Sequence, residues 1–249
     1  MNYKSFPAEI WTSIEKTLTE LKRPEQPLIA AFDADGTLWD TDLGENFFNY
    51  QIDEKCVPLP TNAFEHYTDM KKINNDSRAA YLWLAQINKG VPLEQVRQWS
   101  QKAFHSIQPN PIFSEQKKLI ELLKKNNVEV YIVTASMTWA VEPGALALGL
   151  KPENVIGVET AVENGVITDK GLTPITYRAG KLEALLKRTR QLHPFLASGN
   201  TMGDYELLQG ATHLRLAVSA ASRDDRNFKT EFELAEKAKQ KNWLHHRFI

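Results

Sequence analysis

A chain of 249 residues, 42% hydrophobic and 24% charged, is long enough to bury a sizeable core and has the composition of a globular protein. Its net charge of −1 speaks against nucleic acid or an anionic membrane as partner, and no run approaches the ~18 apolar residues of a membrane span. The single cysteine, Cys56, excludes an internal disulfide framework, and the six histidines form no metal-ligand pattern. Residues 1–24 lack the apolar segment of a signal peptide, so the expected location is cytoplasmic.

In chain order, Ile10, Ile14, Leu18 and Leu21 recur at helical spacing over 7–22, and "KRPEQP" is a stop signal. "LIAAFD" (28–33) is a continuous apolar run, as expected of a strand covered on both faces. It leads into "FDADGTLWD", where two aspartates precede a glycine and an exposed-looking Trp39. From about 44 to 110 only helical patterns occur, rich in aromatic residues such as Phe47, Phe48, Tyr67, Tyr81 and Trp83. That stretch is too long for a loop and predicts a small helical unit of its own.

Beyond it, "SEQKKLIELLKKN" (114–126) is amphipathic with a Ser114 cap, and "VEVYIVTAS" (128–136) is a β-branched strand followed by the helical "TWAVEPGALALG". "NVIGVET" (154–160) is a third strand, and Asn164-Gly165 in "TAVENGVITDKG" signals a hairpin. The helical "RAGKLEALLKRTRQ" precedes "PFLASGN" (194–200), and "HLRLAVSA" (213–220) closes the strand series. Strands alternating with helices predict an α/β fold with a Rossmann-like, mostly parallel sheet.

In such a sheet, ligands collect beyond the carboxyl ends of the strands. Asp33 and Asp35 leave the first strand at that rim, Thr134 and Ser136 leave the second, and Asn200 and Asp204 leave the fourth. Extended backbone puts Asp33 and Asp35 on the same side, where mutual repulsion splits their proton affinities and suits a nucleophile beside an acid/base. Gly36 permits a tight turn and the Thr37 hydroxyl can brace it. Lys181 stands at a helix start, where a cation opposes the helix dipole and calls for a compensating partner. The oxygen-only character of Asn200 and Asp204 favours Mg²⁺ over zinc.

These elements, D-x-D-G-T at 33–37, Thr134, Lys181 and G-N-T-x-x-D at 199–204, resemble in order the haloacid dehalogenase superfamily. Within it they resemble the phosphatase branch with phosphoserine- and phosphocholine-phosphatase-like members. The resemblance implies an α/β core over 1–43 and 108–249, with an inserted helical cap of the first type at 44–107. It implies a magnesium-dependent phosphomonoesterase for a small, amine-bearing phosphorylated metabolite, monomeric or dimeric. Asp33 would be the nucleophile, Asp35 the acid/base, and Asp33, Asp204, Asn200 and the Asp35 carbonyl the metal ligands. Thr134, Ser136 and Lys181 would hold the phosphoryl group, and Glu45 and Trp39 would face the rest of the substrate. Asn200 departs from the family's usual aspartate, which keeps a phosphate-binding regulator with impaired turnover as a rival; a phosphotransferase to an acceptor other than water is a further alternative, since the same intermediate serves both.

Overall fold

The computed structural model describes residues 3–21, 27–73 and 76–249. Helix α1 (Ala8–Leu21) buries Ile10, Ile14 and Leu18 along one face. The expected stop, "KRPEQP", lies almost wholly outside the described residues. Strand β1 (Ile29–Phe32) is buried throughout, and helices α2 (Leu43–Asp53), α3 (Ala63–Met70), α4 (Arg78–Gln86) and α5 (Leu93–Ser106) fill the aromatic stretch after it. Then follow α6 (Ser114–Lys125), β2 (Glu129–Met137), α7 (Thr138–Ala147) and β3 (Val155–Val158). The hairpin β4 (Thr160–Glu163) and β5 (Val166–Gly171) comes next, then α8 (Ala179–Arg188) and β6 (Leu196–Gly199). The chain ends with α9 (Tyr205–Gln209), β7 (Leu214–Ser219), α10 (Phe228–Gln240) and β8 (Leu244–Arg247).

The main sheet has 6 strands in the order β3-β2-β1-β6-β7-β8, and every pairing in it is parallel. The predicted α/β class is borne out. The order reverses at β1, whose two neighbours are β2 on one side and β6 on the other. This switch point opens a crevice beyond the strand ends, and the three strands that meet there carry the candidate residues.

Period-two alternation divides the sheet's apolar residues between two layers. Ala30, Phe32, Val130 and Ile132 join α1 and α6 in one cluster, while Ile29, Ala31, Val133 and Ala197 pack against α8 and α9 in another. The Asn164-Gly165 turn has both residues at positive φ, 50 and 79, as a tight two-residue hairpin requires. The C-terminal α10 and β8 have no counterpart in the sequence reading, which ends its strands at 220. "LHHR" is polar and short because β8 is an edge strand with one open side.

The inserted helices do not carry a wholly separate core. Phe48, Tyr67, Ala80 and Leu84 make a cluster of their own, but Phe47, Ala85, Val96 and Ala103 share theirs with Trp139 and Ala140 of α7 and Ile167 of β5. Among the described residues no helix is long and apolar enough to cross a membrane.

Phe113 anchors the first layer, stacked on Phe248 at 4.0 Å between ring centroids with Tyr3 edge-on at 4.8 Å. Phe113→Ala is expected to lower unfolding free energy by about 3–5 kcal/mol, read by urea denaturation, because it opens a cavity between rings that cannot close.

Candidate active site

Asp33 is the first residue past β1, and its N–H extends the ladder by donating to the Ser198 carbonyl at 2.9 Å. The chain then turns back: Thr37 N and Leu38 N both donate to the Ala34 carbonyl, at 3.1 and 2.8 Å. Gly36 makes this turn with φ +77, and a Cβ there would run into the Asn200 side-chain nitrogen. Position 36 therefore disfavours a side chain, through backbone strain and through the displacement of Asn200 it would require. The turn presses the loop after β1 against the loop after β6.

The centre of the site is a buried triad of charges. Lys181, from the first turn of α8, places Nζ 2.5 Å from Asp33 Oδ1 and 2.5 Å from Asp204 Oδ1. Burial lowers its proton affinity, but the Asp204 and Asp33 carboxylates outweigh that and hold the ammonium well above the usual lysine range. These are the partners that the position at a helix start called for. Asp33 is pushed up to about 6, by burial first and the nearby Asp204 charge second, against the pull of Lys181.

Asp204 has its second oxygen fully engaged. Oδ2 accepts the main-chain N–H groups of Asn200 and Thr201 at 3.1 and 3.0 Å, and the Thr201 hydroxyl at 3.2 Å. The "GNTMGD" loop is thus wound around its own last carboxylate. Asn200 turns its Oδ1 toward Thr37, whose hydroxyl donates to it at 3.2 Å and to Asp33 Oδ2 at 3.0 Å. One hydroxyl proton is shared between two buried oxygens, which leaves acceptor capacity on both. Hard oxygen donors converging in this way fit Mg²⁺. Among the described residues no cluster of three or more His, Cys, Asp or Glu marks a metal site; here one candidate oxygen is an amide's.

Asp35 is held from three sides. Its Oδ1 accepts from Trp39 Nε1 and Leu43 N, both at 2.8 Å, and its Oδ2 accepts from Ser136 Oγ at 2.6 Å. Burial pushes it up to about 6, while the Ser136 and Trp39 hydrogen bonds pull the other way. Trp39, exposed-looking in the sequence, is fully buried. It is covered because its ring lies under Gly144 of α7. Ser136 and Trp39, expected to face phosphate and substrate, both donate to Asp35. Thr134 is buried and accepts the Ser136 N–H at 3.0 Å. Among the described residues its hydroxyl proton has no acceptor, so it remains a donor at the end of β2.

Glu45 lies two residues after Leu43, whose N–H bonds Asp35, and it meets a second set of cations. Arg226 donates to it at 2.7 Å and Lys71 at 3.3 Å, and the same Arg226 lies 3.5 Å from Asp42, the cap of α2. The Lys71 ammonium also sits over the Tyr67 and Tyr81 rings, 5.1 and 5.4 Å from their centroids. Sequence reasoning named neither Arg226 nor Lys71, since nothing in their local sequence distinguishes them from surface cations.

The family model for haloacid dehalogenase-like hydrolases matches residues 30–209. The chain belongs to that family. The hydrolase is 26% identical over 238 residues to a phosphorylcholine phosphatase of Pseudomonas aeruginosa, covering 69% of this chain and 68% of the relative. Its fold matches a functionally unknown protein of Anaerococcus prevotii at TM-score 0.73 and 15% identity, over 98% of this chain and 95% of the other. It also matches a phosphoserine phosphatase in apo form at TM-score 0.51 and 18% identity, over 83% and 91%. The last two likenesses concern the fold alone.

The raised carboxyls make a pH test. Asp33 and Asp35 keep their protons in the folded hydrolase up to about 6, against an ordinary value of 3.8. Between those values the folded state binds more protons than the unfolded one, so stability falls as pH rises. In a chelator the thermal midpoint is expected to drop across this window, and Asp35→Asn, having no proton to lose, to make the drop smaller. An unaltered slope in calorimetric scans would contradict the assignment for Asp35.

Proposed function

We propose that this hydrolase cleaves small, amine-bearing phosphomonoesters through an aspartyl-phosphate on Asp33. The observation that carries the reading is the Lys181 ammonium set between Asp33 and Asp204. A phosphate dianion cannot approach a bare buried carboxylate, and a fixed cation between nucleophile and neighbour removes that obstacle.

An Asp33 oxygen forms a bond to phosphorus while the bond from phosphorus to the ester oxygen breaks, and Asp35 gives its proton to the departing alkoxide. The arriving dianion raises the Asp35 proton affinity further, so its carboxyl is best loaded with a proton when substrate is bound. A water then attacks the phosphorus, Asp35 takes its proton back, and the Asp33–phosphorus bond breaks to release phosphate. Ser136 and Trp39 orient Asp35 for both transfers. Lys181 and the free Thr134 hydroxyl proton hold phosphoryl oxygens. Asp33, Asn200, the Asp35 main-chain carbonyl and Asp204 would hold Mg²⁺, which when bound supplies positive charge against the phosphoryl group.

Substrate class follows from the inserted helices, taken here as the cap. Two tyrosine faces and a carboxylate around the Lys71 ammonium are the chemistry that holds alkylammonium groups. Tyr81 also feels the charges of both Asp42 and Lys181, which supports a cage near the phosphoryl site. The similarity to a phosphorylcholine phosphatase supports the same class.

Asp33→Asn is expected to abolish magnesium-dependent hydrolysis of a generic aryl phosphate, and Asp35→Asn to slow it at least about 100-fold. Full turnover by Asp33→Asn would rule the mechanism out. Across phosphocholine, phosphoethanolamine, phosphoserine and sugar phosphates, the ammonium esters should show the highest kcat/KM. Lys71→Ala, which vacates the cage, should raise that preference several-fold; an unchanged ratio would detach the cage from substrate choice.

A further inference from the structure

Asn200 stands where the family's resemblance would place a carboxylate, and its surroundings give a reason. Its Nδ2 donates to Glu231 Oε1 at 2.9 Å. Glu231 lies on α10, outside the matched family residues, and is 3% exposed. Its other oxygen, Oε2, accepts the N–H of Ala220 at 3.0 Å and of Ala221 at 2.9 Å. Three N–H donors converge on this carboxylate, so it is an acceptor anchored to the backbone at the end of β7.

An amide facing such an anchor has one satisfied orientation: nitrogen toward Glu231, oxygen toward Thr37 and Asp33. The reverse would set a carbonyl oxygen against a carboxylate and turn an NH₂ group into the space where the candidate ligand oxygens meet. A carboxylate at position 200 would face Glu231 with like charge inside a buried site.

We infer that Glu231 is a positioning residue of this active site, holding Asn200 with its carbonyl oxygen inward and making a neutral amide the fitting group at position 200. The pairing stands on hydrogen bonds alone; its consequence for metal rests on the Mg²⁺ reading above.

The test is a double-mutant cycle with Glu231→Gln and Asn200→Asp in the full chain, read by thermal midpoint in chelator and by calorimetric Mg²⁺ titration without substrate. Glu231→Gln sets amide against amide and Asn200→Asp sets carboxylate against carboxylate, so each should lower the midpoint. The double variant restores one donor facing one acceptor and should recover most of the loss. Mg²⁺ affinity should fall by about tenfold or more in Glu231→Gln, fail to rise in Asn200→Asp despite the added charge, and exceed both singles in the double.

Additive midpoint losses would overturn the pairing. Glu231→Gln binding Mg²⁺ as the unaltered protein does would overturn the positioning role. If the unaltered protein shows no Mg²⁺ affinity, the metal reading falls and the chelator cycle decides the pairing by itself. A single variant that does not fold is answered by the double: rescue supports the pairing, and failure of the double overturns it.

Discussion

A single ammonium group holds the candidate-site end of this fold together. Asp33 and Asp204 come from different strands and are both buried, and burial of unpaired carboxylates costs several kcal/mol each. Lys181 reaches both from a third element, so the ends of β1 and β6 and the start of α8 are fixed relative to one another by one charge. The hydrogen bonds that wind the "GNTMGD" loop around Asp204, and the glycine turn that presses on Asn200, then have a fixed frame to act in. Removing the ammonium would leave two like charges with nowhere to go but apart or to protonation.

The second aspartate ties the candidate site to the helices that follow β1. Leu43 opens α2, and its N–H is one of the donors on Asp35. One residue on, Gly44 lies so close to Ser136 that a Cβ would sit 2.6 Å from the hydroxyl that also bonds Asp35. Asp35, the end of β2 and the first turn of α2 are therefore one packed unit. Shared apolar contacts between Phe47 and Trp139 continue that unit away from the rim. A displacement of the insertion would be felt at Asp35 before it reached Asp33.

Much of this was legible in the sequence because it is written in short-range pattern. The continuous apolar runs at 28–33 and 128–136 announce covered strands, and strand ends carrying Asp33, Thr134 and Asn200 announce a shared rim. What the pattern does not carry is pairing chosen in three dimensions. Glu231 is an ordinary helical glutamate until β7 brings Ala220 and Ala221 against it, and Lys71 is an ordinary surface lysine until α4 supplies Tyr81. Trp39 looks exposed because polar residues follow it; its burial depends on α7, about a hundred residues later. Strand β8 is silent for a related reason, since an edge strand needs no apolar alternation on its open side.

Arg226 belongs to the loop between β7 and α10, yet its guanidinium spans to Glu45 and Asp42 at the start of α2. Its side chain is 53% exposed, so the link is open to counterions, unlike the enclosed ammonium at the catalytic centre. Dissolved electrolyte weakens the outer clasp far more than the inner one. The contact between α2 and the loop before α10 is thus sensitive to ionic strength, while the Lys181 pairs with Asp33 and Asp204 are shielded from it.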